Sequence, residues 1–305
     1  MSSAMNYSKD FSVIIPCREA ASFLPGLLAS IPDSERVEVI VVDNSEIPMQ
    51  ASDVKSPRSF TLLHSAPQRG AGGARNEGIA QSTGRWLLFA DADDYFTPGA
   101  FERFYAHLNS DADMVFFAMN GVFRETGITS QRMDHYTRLV ANYQNNKDKD
   151  SRAEWFLRTQ YTSPCGKMVS HDLITRHALR YDEVVASNDK YFSLLSGYYA
   201  NKIEADEAIV YTATITAGSL TQRREYEVVS SRLKVNLKSN RFLRQHNLSE
   251  YQTSVMHWVL LTLKARPTSI MQVLGLLLRY RQNPFVGASH WVKTLRGYRK
   301  NVERA

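Results

Sequence analysis

The chain has almost no cysteine. With only Cys17 and Cys165 among 305 residues, it has neither the disulfide framework of small exported domains nor a CxxC pair spaced for zinc. No apolar run approaches the roughly 18 uninterrupted residues that a transmembrane helix needs. The opening MSSAMNYSKD lacks a basic segment followed by an apolar one, so no signal peptide is expected and the cytoplasm is the expected compartment. Histidines 64, 107, 135, 171, 177, 246, 257 and 290 form no HExxH or comparable ligand spacing. Internal repeats and low-complexity tracts are also missing. A composition of 43% apolar and 22% charged residues is that of a soluble globular protein, long enough for one large domain or two ordinary ones.

Acidic residues are scarce at one end. Residues 226–305 hold 14 Lys/Arg against 3 Asp/Glu, about +11, whereas the first 225 stand near −5, with 23 against 28. The basic partner surface therefore belongs to the C-terminal part.

The first strong pattern is FSVIIPCREAASFLPGLLASI. Phe11 to Ile15 reads as a buried strand stopped by Pro16, and Phe23, Leu24, Leu27, Leu28 and Ile31 then recur at helical spacing. VEVIVVDN, residues 37–44, is a near-continuous apolar run, the signature of a parallel strand covered on both faces. Strand 58–64, helix 72–81 and strand 85–90 continue the alternation. The pattern predicts an α/β fold with a mostly parallel, doubly wound sheet flanked by helices, whose ligands bind at the carboxyl ends of the strands. Thr97 and Pro98 read as N-cap and first residue of the next helix, and DMVFFAMNGVF as another strand. Residues 126–150 turn polar, with NYQNNKDKD the most loop-like stretch. A helix over 188–199 and a strand through KIEADEAIVYTAT follow, and beyond 226 the pattern is helical. Three parts are expected: 1–125, 126–225, and a basic helical extension, 226–305.

Chemistry concentrates in GRWLLFADADDYFTPGAF. If the chain is extended there, Asp91 and Asp93 share one side and Asp94 points elsewhere. Two carboxylates converging at a strand's carboxyl end suit a hard divalent cation, Mn2+ or Mg2+, which would relieve their repulsion. A solvated turn capping the next helix is the alternative for a bare DxD. Asp43 ends an early strand, where a carboxylate accepts hydrogen bonds from a ribose or base edge, and Gly70, Gly72 and Gly73 open the segment QRGAGGARNEG. Those glycines follow the third strand rather than the first, which disfavours a dinucleotide-binding oxidoreductase. Cys17 has no nearby His/Asp partner and reads as a small buried residue.

Three blocks, VIIPCREAASFLPGLLASI, VEVIVVDNS and GAGGARNEGIAQSTGRWLLFADADD, are similar to the motif series of the bacterial family 2 glycosyltransferases, inverting enzymes with the GT-A fold. The match spans residues 11–101, with a weaker echo to about 220. Arg18 and Glu19 depart from it, standing where the family often has Tyr and Asn. The resemblance implies that Pro16 and Arg18 line a nucleoside pocket and that Asp43 binds base or ribose. It implies that Arg75 supports the nucleotide or the acidic cluster, and that Asp91 and Asp93 hold metal and diphosphate. It makes Asp189, in VVASNDKYFSLLSG, the catalytic base, with Asn188 where the family has Glu. An inverting displacement needs one carboxylate to take the acceptor proton; a residue merely favoured by the helix macrodipole is the alternative. SPCGKMVSHDLI resembles an acceptor-side segment, in which Lys167 either meets a phosphate or carboxylate or is simply solvated. YTATITAGSLT resembles a closing strand and turn, with Arg223 and Arg224 beyond it.

The implied function is transfer of a sugar from a nucleoside-diphosphate donor, UDP-linked by expectation, to a hydroxyl of a glycan or lipid-linked glycan in surface polysaccharide or lipopolysaccharide synthesis. A nucleotidyltransferase and a non-catalytic nucleotide- or glycan-binding module are the alternatives. For 226–305, peripheral contact with the cytoplasmic membrane face through Trp258, Trp291 and flanking cations stands beside plain packing of a helical subdomain. Nucleic acid explains the charge alone and no recognition motif accompanies it, so no nucleic-acid partner is expected.

Overall fold

Ile14, Ile15 and their neighbours have no polar face to turn to water, and they enter the middle of a sheet. In the computed structural model, which describes residues 7–216 and 223–286, β1 is Lys9–Cys17, followed by α1 (Leu24–Ala29), β2 (Val37–Asp43), β3 (Thr61–His64), α2 (Gly70–Gln81) and β4 (Gly84–Phe89). These four strands run parallel in the order β3-β2-β1-β4. The fold class expected from the alternation is the one found.

The short β5 (Tyr95–Phe96) and α3 (Ala100–Ala106) lead to β6 (Met114–Phe123) and β7 (Thr129–Ser130). Next come α4 (Asp134–Asn146), α5 (Ser151–Gln160), β8 (Lys167–Ser170), α6 (His171–Arg176), α7 (Asn188–Tyr199) and β9 (Ile203–Ile215). β8 lies antiparallel between β4 and β6, and β9 lies parallel to β6. Two reversals cancel, so β1, β2, β3, β4, β6 and β9 all end on one edge. The candidate site lies along that edge.

Three local readings need correction. The third strand begins at Thr61 rather than 58, because the buried Arg58 guanidinium donates to Pro32 O (2.5 Å) and Val37 O (2.9 Å) and is held outside the ladder. Thr97 does not cap α3: its hydroxyl donates to Ile209 O (2.5 Å), and Gly99 at φ 80° makes the turn into the helix. The polar stretch 126–150 is largely helical. Leu139, Val140 and Tyr143 alone supply α4 with a buried face, while Asn145 and Asn146 bond back to the carbonyls of Ala141 and Asn142.

The chain separates into two compact units, residues 1–184 with 192–217, and residues 185–191 with 218–305. The first contains the whole sheet. In the second, α8 (Tyr226–Gln245), α9 (Met256–Ala265) and α10 (Ile270–Arg279) enclose a small core of Leu233, Leu237, Val255, Val259 and Val273. No helix of the described residues is long and apolar enough to cross a membrane. Trp291 and most of the turn after Ile215 lie outside the described residues.

The glycines of α2 act in packing. Gly72, Gly73 and Gly78 lie inside the helix and are buried, and a Cβ at Gly78 would overlap Cγ2 of Ile14 on β1. Only a glycine lets α2 approach the sheet this closely. Gly78→Ala is expected to destabilise the protein by about 1–3 kcal/mol through overpacking, read as a lower denaturant midpoint at unchanged slope.

Candidate active site

The strand order reverses direction at the β1/β4 boundary, since α1 leads outward to β2 and α2 carries the chain back to β4. Crevices at such switch points receive ligands in open α/β sheets. Register places Cys17 opposite Asp43 and Ile14 opposite Phe89, so the loops after β1, β2 and β4 leave the sheet side by side.

Asp43 is only 1% exposed. Its Oδ1 accepts from the Ser45 amide (3.1 Å) and hydroxyl (2.6 Å), its Oδ2 accepts from the Met49 amide (2.7 Å), and His64 Nδ1 lies 3.4 Å away. Burial opposes its charge, but the bonds from Ser45 and Met49 and the nearby His64 outweigh burial and hold the carboxyl below its ordinary pKa. Both oxygens thus shape the loop 44–49. That loop is joined to the one after β1: the Glu19 amide donates to Ser45 Oγ (2.8 Å), and the Glu46 amide to Glu19 Oε1 (3.0 Å). Glu19 sits at φ 52°, a costly backbone state for a residue with a Cβ, and these two bonds fix it there. Pro16 is buried in β1, while Arg18 is exposed and pairs with Glu46 at 3.1 Å.

Residues 91–94 form a turn, not an extended segment: the Asp94 amide donates to Asp91 O (3.0 Å). Asp94 points inward, where its carboxylate accepts from the Tyr211 hydroxyl (2.8 Å) and the Thr214 amide (2.7 Å). Asp91 and Asp93 keep side chains 45% and 41% exposed. Arg75, nearly buried, donates through Nη2 to Asp91 Oδ1 (2.6 Å); Arg124, from the end of β6, donates to Asp93 O (2.8 Å), lies 3.5 Å from its carboxylate and covers the Phe23 ring at 4.2 Å. Each exposed carboxylate therefore has its own arginine.

Burial, then the charges of Asp91 and Asp93, push Asp94 well above the usual carboxylate range, and burial with Asp91 raises Asp93. Arg124 opposes the rise of Asp93 without cancelling it. Among the described residues, Asp91, Asp94 and Cys165 offer ligand atoms within 4.8 Å of one another. Asp94 is already taken by Tyr211 and Thr214, and burial drives the Cys165 thiol up so that it stays protonated. Of the three carboxyls in the turn, those of Asp91 and Asp93 are the ones open to solvent.

The ARN motif divides its labour. Ala74 packs with Ile40 and Val42, and Arg75 holds Asp91. Asn76 clamps the Tyr181 backbone, donating to its carbonyl (3.0 Å) and accepting from its amide (2.8 Å). Lys167 is buried, with Nζ donating to Tyr161 O (3.2 Å) and Ser193 Oγ (3.0 Å), so it is neither solvated nor on the site's surface. Asp189 stands in the first turn of α7, among residues 185–191 of the second unit. Its neighbour Lys190 turns its ammonium inward to Asn236 Oδ1 (2.6 Å) and Thr253 Oγ1 (3.1 Å), and burial lowers its pKa to about 8.

The structure thus gathers Arg75, Asp91 and Asp93, with Pro16 and Asp43 at the carboxyl ends of adjacent strands and Arg18 in the loop after β1. Sequence reasoning missed Arg124, Tyr211 and Asp94 as parts of this site. Arg124 and Tyr211 close β6 and the middle of β9, and no local signal marks them; only the strand order does.

The chain matches the model of glycosyl transferase family 2 over residues 12–177, more than half its length. The Bacillus subtilis (strain 168) protein EpsH is 23% identical over 265 residues, covering 82% of this chain and 74% of its own. Among solved structures, TarS 1–349 of S. aureus in complex with UDP-GlcNAc is similar at TM-score 0.55 and 19% identity, over 86% of this chain and 73% of that one. The mannosyltransferase PcManGT of Pyrobaculum calidifontis, in complex with GDP-Man and Mn2+, is similar at TM-score 0.57 and 16% identity, over 96% and 84%. With a family model matching more than half of its length, the chain belongs to glycosyl transferase family 2, and it has a fold of the GT-A type.

Proposed function

We propose that this glycosyltransferase moves a sugar, with inversion, from a UDP-linked donor to a hydroxyl of a glycan or lipid-linked glycan acceptor in surface polysaccharide or lipopolysaccharide synthesis. The observation that carries this reading is the half-exposed Asp91/Asp93 pair at the β1/β4 switch point, held by Arg75 and Arg124. The UDP-GlcNAc and GDP-Man complexes of the structural relatives support a nucleoside-diphosphate sugar as donor. Peripheral contact with the cytoplasmic membrane face through 226–305 completes the reading.

The raised carboxyl of Asp93 and the oxygen-only donor pair it forms with Asp91 suit Mn2+ or Mg2+. When bound, such a cation supplies charge neutralisation for the leaving diphosphate. Arg75 fixes the direction of Asp91, and Arg124 fixes the backbone of Asp93. Pro16, Arg18 and the loop organised by Asp43 line the nucleoside side, the base or ribose meeting that loop. Asp189 takes the proton from the acceptor hydroxyl as its oxygen attacks the anomeric carbon and the bond to the diphosphate breaks on the opposite face.

Three outcomes are expected. Thermal unfolding of the purified protein shifts upward with UDP plus Mn2+ more than with GDP, CDP, dTDP, ATP or NAD, and Asp91→Ala removes the shift. A shift with ATP or NAD alone overturns the reading. The Mn2+-dependent shift grows as pH rises through the raised range of the Asp93 carboxyl, because protons compete for that group and the cation binds only the ionised form. Asp189→Asn lowers kcat for sugar transfer by roughly 10²–10⁴ while leaving the UDP shift unchanged, measured by UDP release with acceptor present.

A further inference from the structure

The basic C-terminal unit carries a cavity of about 440 Å3 among α8, α9 and α10, lined by Tyr226, Ser230, Lys234, Gln272, Gly275 and Arg279. Its two charged lining groups are both cations. No Asp or Glu occurs anywhere from residue 251 to 302, so α9, α10 and their connections have no acid of their own to balance Lys264, Arg266, Arg279 and Arg281. Arg266 reaches Glu227 on α8 at 3.4 Å and covers the Tyr226 ring at 3.7 Å, whereas Lys234 and Arg279 stand exposed at the cavity. The tyrosine hydroxyl at its edge donates to Gln272 Oε1 (2.6 Å).

Beside this cavity α10 is apolar on two faces. Val273, Leu276 and Leu277 pack into the core of the unit, but Ile270, Met271, Leu274 and Leu278 are exposed, Met271 by 74% and Leu278 by 77%. Their spacing of one, four and eight residues places them on one stripe. A ten-residue helix is too short to span a bilayer, and a stripe of large apolar side chains with cations at its end is the arrangement that lies in a lipid interface.

We infer that the exposed stripe of α10 and the Lys234/Arg279 cavity together form a docking surface for an anionic phospholipid membrane. Ile270, Met271, Leu274 and Leu278 enter the acyl boundary, and a headgroup phosphate sits at the cations. The charge decides the occupant: a neutral protein groove would answer the stripe but leave the cations uncompensated, whereas an anionic surface answers both. This rests on the membrane-contact reading of 226–305 and names its surface and lipid class.

Co-sedimentation of the full chain with vesicles tests it, using phosphatidylcholine alone and phosphatidylcholine with phosphatidylglycerol. The wild type is expected to bind the anionic vesicles and to be released as salt rises. Leu274→Glu/Leu278→Glu lowers partitioning at least about tenfold. Lys234→Ala and Arg279→Ala each lower it about fivefold on anionic vesicles alone. All variants keep the UDP and Mn2+ thermal shift, which separates this surface from the donor site and verifies folding. Undiminished binding of Leu274→Glu/Leu278→Glu overturns the inference while sparing membrane contact elsewhere in the tail. Absence of vesicle binding overturns both. Stabilisation by inorganic phosphate without vesicle binding assigns the cations to a free anion, and a dimer broken by Leu278→Glu assigns the stripe to a second copy; either result overturns the membrane assignment.

Discussion

A single buried phenol holds the acidic turn in shape. The Tyr211 hydroxyl accepts the amide of Asp91 (2.9 Å) and donates to the carboxylate of Asp94 (2.8 Å), so one atom fixes both ends of a four-residue turn. Three carboxylates within four residues would otherwise spread apart in solvent. Drawing Asp94 inward leaves Asp91 and Asp93 on the outside, each beside an arginine delivered from a different strand or helix. β9, running parallel to β6, brings the Tyr211 hydroxyl to the turn that follows β4.

The arginines are not interchangeable with solvent cations. Arg75 is nearly buried, joined to Asp91 and stacked 5.3 Å from the Tyr181 ring, so its position is set by packing as well as charge. Arg124 is held by Thr216 Oγ1 (3.0 Å) and Phe23 as well as by Asp93. Two fixed guanidinium groups reduce the repulsion in the turn, while burial, joined by the charge of Asp91, keeps the Asp93 carboxyl raised.

Much of this architecture was readable in the chain. Phe11–Ile15, Val37–Asn44 and Arg85–Ala90 declare buried parallel strands by their unbroken apolar character, and the Asp91–Asp94 cluster follows the last of them directly. What lay beyond reach were interactions set by tertiary neighbours. The alternation rule suggested an extended DxD, but the Asp94 amide closes a turn onto Asp91 O, and Asp94 rather than a solvent-facing group became the anchor. Lys167 had no sequence mark of burial; Tyr161 and Ser193 supply its partners from separate elements. α4 reads as a loop because its apolar residues are few, yet the buried Leu139, Val140 and Tyr143 are enough where the neighbouring sheet provides the rest of the surface.

The interposed strand β8 has a consequence for how the protein must fold. Because the chain passes through β8 before it returns in β9, the site's parts come from segments near positions 16, 43, 75, 91, 124 and 211, with 33 residues between the fourth and fifth and 87 between the fifth and sixth. The β1–β4 pairing closes a loop of some seventy residues and the β6–β9 pairing one of nearly ninety, by the register of Phe11 with Trp86 and Met114 with Ile203. Such non-local parallel pairings come late and slowly, after the entropy of closing long loops has been met. A fragment that ends before β9 lacks Tyr211 and with it the two bonds that shape the acidic turn.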